Sequence, residues 1–180
     1  MIKGNLVTIR HLKEGDRKIY HKWINDRALV NFNKIYRPIS EVNHNDWFDK
    51  VTNIYNLAIF SIVENSDNSL IGSCSLRNID YLHKNARVQI RIGESDKRGN
   101  GFGSEAVFLL LCHAFEDLNL ERVYLNVFVD NKRAIKAYNK IGFIEEGLLR
   151  RAVFINGSYV DSILMSVIKS EFDTIKEKFK

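Results

Sequence analysis

The chain has 180 residues, 45% apolar and 27% charged, enough to bury a full core and unlike a disordered or disulfide-stapled sequence. Two cysteines, Cys74 and Cys112, stand far apart and make no metal or redox pattern, which suits a reducing cytoplasmic setting. The net charge of +5 comes from scattered Lys and Arg and reads as a solvated basic surface, with an anionic ligand or an acidic partner as the alternative.

No stretch near "MIKGNLVTIR" has signal-peptide character, and the longest apolar run, "VFLLLC", is too short to cross a bilayer, so no membrane association is expected. "LVTIR" (Leu6 to Arg10) alternates as a first strand. Asp16 is placed to cap a helix reaching Asn25, and Ser40, two residues past the single proline Pro38, to cap a second reaching Val51. "NLAIFSIVEN" and "SLIGSCSLRN" flank the turn-rich "SDNS" and predict an antiparallel hairpin, followed by a strand over "ARVQIRIG".

A glycine loop then opens an all-round apolar helix from Phe102 to Leu118, which should be buried. "RVYLNVFV" predicts a strand, and Asn131 caps a helix that stops at Gly142. Two long strands meet at Asn156-Gly157, a favoured hairpin pair, and the tail from Lys169 is an amphipathic helix. Hairpins at both ends around a strand–helix–strand–helix middle predict one α/β domain of the α+β type over 1–180, with a mixed, mostly antiparallel sheet flanked by helices.

The segment "DKRGNGFGSEAVFLLLCHAF" (96–115) carries the chemistry. It lacks the Lys-Ser/Thr of a P-loop, and its third glycine comes one position early for the dinucleotide fingerprint. What remains is R-x-x-G-x-G over Arg98, Gly101 and Gly103. Glycines let backbone N–H groups converge, and a helix N-terminus adds partial positive charge, a combination suited to a diphosphate. The same loop could also be a plain strand-to-helix connection.

An alternating strand followed by R-G-N-G-F-G at a helix start resembles the acetyl-CoA loop of the GNAT (Gcn5-related) N-acetyltransferase superfamily. "YLNVFVDNKRAIKAYNKIGFIEEG" (Tyr124 to Gly147) resembles its second signature, and the order of elements matches its fold along the whole chain. The N-terminal "HKWINDRALVNF…RPIS…HNDWF" and C-terminal "NGSYVDSILMSVIKSEF" resemble the RimJ/RimL-type branch. The resemblance implies acetyl transfer from acetyl-CoA, as co-substrate, to an amine by direct attack.

It implies, further, that Arg98, Gly99, Asn100, Gly101, Phe102, Gly103 and Ser104 hold the diphosphate. Backbone N–H groups of Gln89, Ile90, Arg91 and Ile92 would stabilise the charge developing on the acyl oxygen. Asn131 would contact the cofactor besides capping its helix, and Tyr138 would protonate the leaving thiolate. Ala134, Ala137, Tyr138 and Ile141 share one helix face, so Tyr138 also reads as a core aromatic. Glu105 would repel phosphate and reads as structural.

Trp23, Phe32 and Trp47 are either core aromatics or the apolar wall of the acceptor cleft. Glu94, His21, Asp26, His44 and Asp46 are the nearby groups that could take a proton, and none stands out as the base. The histidines show no metal-ligand spacing, so no metal is expected. The acceptor ranking puts a protein N-terminus and a nucleotide-linked amino sugar level, with a polyamine behind. An inactive CoA-binding protein is the non-enzyme alternative. Scattered charge argues against direct nucleic-acid binding, and the C-terminal strands could support a homodimer.

Overall fold

The computed structural model describes residues 1–30 and 37–177. Its eight strands form one sheet in the order β1-β2-β3-β4-β5-β6-β8-β7. They are β1 (Ile2–Lys3), β2 (Val7–Arg10), β3 (Leu57–Glu64), β4 (Leu70–Asp80), β5 (Asn85–Ile92), β6 (Arg122–Phe128), β7 (Ile144–Ile155) and β8 (Ser158–Ile168). Every neighbouring pair is antiparallel except β5 and β6. The result is a mixed, mostly antiparallel sheet flanked by helices, as the sequence led us to expect.

The parallel pair positions the site. β5 and β6 stay in register only from Asn85↔Arg122 to Arg87↔Tyr124. β5 remains paired with β4 as far as Ile92. Past Arg87, its edge facing β6 therefore has no ladder partner among the described residues, and buried backbone groups there need another.

Helices cover both faces. α1 (Arg17–Asn25), α2 (Arg27–Val30) and α3 (Glu41–Val51) enclose a small core of Tyr20, Trp23, Leu29 and Phe48. On the main core side, α4 (Phe102–Cys112) buries Ala106, Leu110 and Leu111 completely and continues into a π-helical turn over His113–Asp117. α5 (Lys132–Ile141) follows β6, and α6 (Lys169–Lys176) buries Phe172 against Phe115, ring centroids 5.0 Å apart.

Most local signals hold. Ser40 Oγ accepts the Asn43 N–H at 3.2 Å, and Gly142 ends α5 at φ 102°. Asn156 and Gly157 take φ 50° and 83°, the positive pair a type I′ turn demands. Asp16 is the exception: it stands at the head of α1 without capping it through its side chain. Its carboxylate instead accepts two bonds from the Arg10 guanidinium at 2.7 and 2.8 Å and one from Ser61 Oγ at 2.7 Å. Burial would raise this carboxyl, but those donors and the Lys13 N–H outweigh burial and hold it below the usual range.

Candidate active site

Two cavities meet on β5. The first, about 360 Å³, lies between the end of β5, the glycine loop and α5. Gly99 and Gly101 adopt φ 92° and 86°, the left-handed region that side chains avoid, and this turns the loop sharply into α4. Among the described residues no side chain caps α4, so its first-turn N–H groups remain available to a ligand. The first turn of α4 rests on β5 at Gly103, where a Cβ would meet Ile92 at 3.5 Å and Ile90 at 3.7 Å, ordinary contact distances.

Arg98 reaches back from the loop. Its Nε donates to the Ile92 carbonyl at 3.1 Å and its Nη2 to the Gly93 carbonyl at 3.0 Å, fixing the loop to the strand end. Ser104, Arg133 and Lys140 complete a lining in which no carboxylate appears among the described residues. Glu105 is turned away: its carboxylate accepts the N–H groups of Asn5, Leu6 and Val7 at 2.8, 2.7 and 2.7 Å. The structural reading of this acid therefore holds, and its partner is the N-terminal segment.

α5 supplies the opposite wall. Ala134, Ala137, Tyr138 and Ile141, the face expected to point inward, all line this cavity. Tyr138 packs on Phe143 with centroids 5.6 Å apart, and burial pushes its phenol up to about 12, so it stays protonated at neutral pH. Asn131 does two things at once: its Oδ1 accepts the Ala134 N–H at 3.2 Å while the residue lines the cavity.

The second cavity, about 510 Å³, lies on the other face of β4 and β5. Its floor is Ser73, Ser75 and Arg77 from β4 with Gln89 and Arg91 from β5, alternate residues that share one face of the sheet. Tyr20, Ile24, Ile39, His44 and Trp47 wall it. Ile90 and Arg91 line both cavities, so the two adjoin at β5. Burial lowers the pKa of both Arg77 and Arg91, Arg87 adding to the effect on Arg77, yet a guanidinium stays charged throughout.

His44 is the imidazole among the described lining residues. Burial lowers its pKa, and its Nε2 lies 2.9 Å from the Arg17 carbonyl. A carbonyl only accepts, so Nε2 carries the proton there and Nδ1 keeps the lone pair. The other proton acceptors considered are engaged elsewhere. Glu94 accepts from Trp23 Nε1 at 2.9 Å, Asp26 from the Leu29 N–H at 3.2 Å, and Asp46 pairs with Lys50. His21 Nε2 meets the Ile39 carbonyl at 2.8 Å.

The three aromatics part company. Trp47 lines the second cavity, but Trp23 is 1% exposed and clamps Gly93, where a Cβ would lie 2.0 Å from the indole. Phe32 lies outside the described residues. Within the loop, Asn100 turns back to donate to the Asp96 carbonyl at 3.1 Å, and Phe102 packs against the main core. Gln89 presents its side chain to the second cavity and not the first. Ser73, Ser75 and Arg77 went unnoticed in the sequence, although S-x-S-x-R across from R-x-Q-x-R was the available signal.

Among the described residues, no group of three or more His, Cys, Asp or Glu is placed to hold a metal ion, and no helix is long and apolar enough to cross a membrane. The pattern of the acetyltransferase (GNAT) domain family matches residues 7–144. A spermidine N(1)-acetyltransferase of Vibrio cholerae is 33% identical over 174 residues, 92% of this chain and 95% of that protein. Its counterpart in Escherichia coli K12 is 30% identical over 96% of this chain and 91% of its own length. The crystal structure of the Vibrio cholerae enzyme with CoA and spermine superposes with a TM-score of 0.85 at 31% identity, covering 93% of this chain and 98% of that one. These matches carry the family and do not single out the RimJ/RimL-type branch.

Proposed function

We propose a division of labour for this chain, which belongs to the GNAT acetyltransferase family and is an acetyl-CoA-dependent N-acetyltransferase: the cavity beside the glycine loop takes the co-substrate, and the one beyond β5 takes a small primary amine. Acetyl-CoA supplies the acyl carbonyl that the amine attacks. The residues present fit it. The uncapped N-terminus of α4 and the left-handed Gly99 and Gly101 suit a diphosphate, with Arg133 and Lys140 as nearby cations.

The unpaired edge of β5 after Arg87 offers backbone donors to the oxygen on which charge develops. One such donor is worth about 2.7–4 kcal/mol. Tyr138, protonated at neutral pH, donates to the thiolate as the carbon–sulfur bond breaks. Arg98 has a positioning role, holding the loop against the strand end through its two carbonyl contacts.

The observation that carries this reading is the meeting of the two cavities at Ile90 and Arg91, with Tyr138 lining one of them. Thiol release from acetyl-CoA with a panel of amines tests it. Tyr138→Phe should lower kcat by roughly 10²–10⁴-fold and leave CoA affinity within about twofold, since the phenol does not touch the diphosphate loop. An undiminished kcat in Tyr138→Phe would remove the residue from the chemistry.

A polyamine acceptor is the second reading, and likeness to two spermidine acetyltransferases favours it. The character of the second cavity bears on that choice.

A further inference from the structure

We propose that Arg77 and Arg91 make the floor of the second cavity an anion-recognition surface, so that the amine acceptor also carries a phosphate or a carboxylate. This rests on the reading above that the cavity receives the acceptor.

Strand register brings these cations onto one face. Ser73 faces Arg91, Ser75 faces Gln89, and Arg77 faces Arg87 across the β4–β5 ladder. Two arginines directly opposed on one sheet face repel, and Arg91 adds a third cation two pairs along. No lining carboxylate offsets them among the described residues. Neither Arg77 nor Arg91 has a hydrogen-bond or ion-pair partner among the described residues, and Arg77 Nε is buried with its hydrogen unused. Asp26 contributes a field at Arg91 but spends Oδ1 on the Leu29 N–H.

Three other half-buried arginines of the chain are ion-paired. Arg10 binds Asp16 at 2.7 Å, Arg17 binds Glu14 at 2.6 Å, and Arg122 binds Glu146 at 2.5 Å. The floor of the second cavity departs from that practice, and a buried donor left unmade is costly. An incoming anion satisfies it: guanidinium forks match phosphate and carboxylate geometry, and the Ser73 and Ser75 hydroxyls lie on the same face as further donors. At about 510 Å³ the cavity has room for a small acceptor. A polyamine, cationic along its length, would meet like charge there. Arg91 also lines the co-substrate cavity, but Arg77 lines only this one, so the anion site is not an extension of the diphosphate loop.

The test is calorimetric titration of the full chain saturated with CoA, which occupies the glycine loop. Two matched pairs differ only in the acid: glucosamine against glucosamine 6-phosphate, and cadaverine against lysine, with spermidine alongside. At least one acid-bearing member should bind tenfold or more tightly than its partner, and the responding pair identifies phosphate or carboxylate. Arg77→Gln and Arg91→Gln should each erase that advantage, while Arg77→Lys should retain part of it. A CoA-induced rise in Tm in each variant checks that the fold is intact. Tighter binding of spermidine than of either acid-bearing amine would overturn the proposal, as would matched pairs that bind alike or an advantage that survives both substitutions. Spermidine-dependent thiol release that collapses in Tyr138→Phe would keep acetyl transfer and sink only the anion reading, whereas loss of CoA binding would sink the reading beneath it.

Discussion

Replacing Glu105 with alanine separates two opposed accounts of an acid in the first turn of the diphosphate helix. If the carboxylate merely opposed phosphate, its removal would tighten CoA binding. The geometry instead makes it a tie between α4 and the N-terminal segment, through three N–H donors at 2.7–2.8 Å. Asn5 and Leu6 are exposed, so water replaces the carboxylate there at a cost of about 0.5 kcal/mol each. Val7 is fully buried, and orphaning its N–H costs about 1–3 kcal/mol. The expected loss is therefore about 2–4 kcal/mol, read as a shift of the urea midpoint at unchanged m-value. CoA affinity of the folded variant, measured by calorimetry, should stay within about threefold. A loss below about 1 kcal/mol together with tighter CoA binding would refute the reasoning.

Other expectations follow from the same geometry. Gly101→Ala forces a side chain to φ 86° and should cost about 1–2 kcal/mol in thermal unfolding; Gly103→Ala, whose new Cβ meets only ordinary contacts, should cost less, and equal costs would refute the distinction. Acid should destabilise the fold between about pH 4 and 2: Asp16 and Glu146 are held below their unfolded values near 3.9 and 4.3, Glu146 at about 2 by Arg122 and Ser166. Their contribution is present above the unfolded pKa and is lost as pH falls through the folded one, so Glu146→Gln should flatten the fall of Tm with acid, and an unchanged slope would contradict the assignment. Arg77→Leu should stabilise the ligand-free protein by about 0.2–1 kcal/mol by relieving the opposition to Arg87, and a loss of stability would mean the guanidinium has a partner after all.

Local chemistry made much of this legible in the sequence. The Asn156-Gly157 turn, the Ser40 cap, the Gly142 stop and the apolar α4 are each decided by residues within one turn of one another. The inward face of α5 was equally readable, because helical period alone puts Ala134, Ala137, Tyr138 and Ile141 together. Failures arose where a distant partner decides. Asp16 looked like a cap, but Arg10 from β2 and Ser61 from β3 claim its carboxylate. Trp23 read equally as a core aromatic or a cleft wall, and the choice rests with Gly93, seventy residues on, which leaves room for its indole, and Glu94, which takes its N–H. The arginine floor needed the β4–β5 register, since neither "SCSLR" nor "RVQIR" alone says which residues will face each other.

The central claim is that the splay of β5 from β6 seats acetyl-CoA with its sulfur beside Tyr138 and its diphosphate at the head of α4. A crystal structure of the full chain with CoA tests this most directly. The account predicts the diphosphate oxygens within hydrogen-bond reach of backbone N–H groups over residues 101–104, and the CoA sulfur about 3–4 Å from the Tyr138 hydroxyl oxygen. A diphosphate bound away from the glycine loop, or a sulfur that Tyr138 cannot reach, would contradict it.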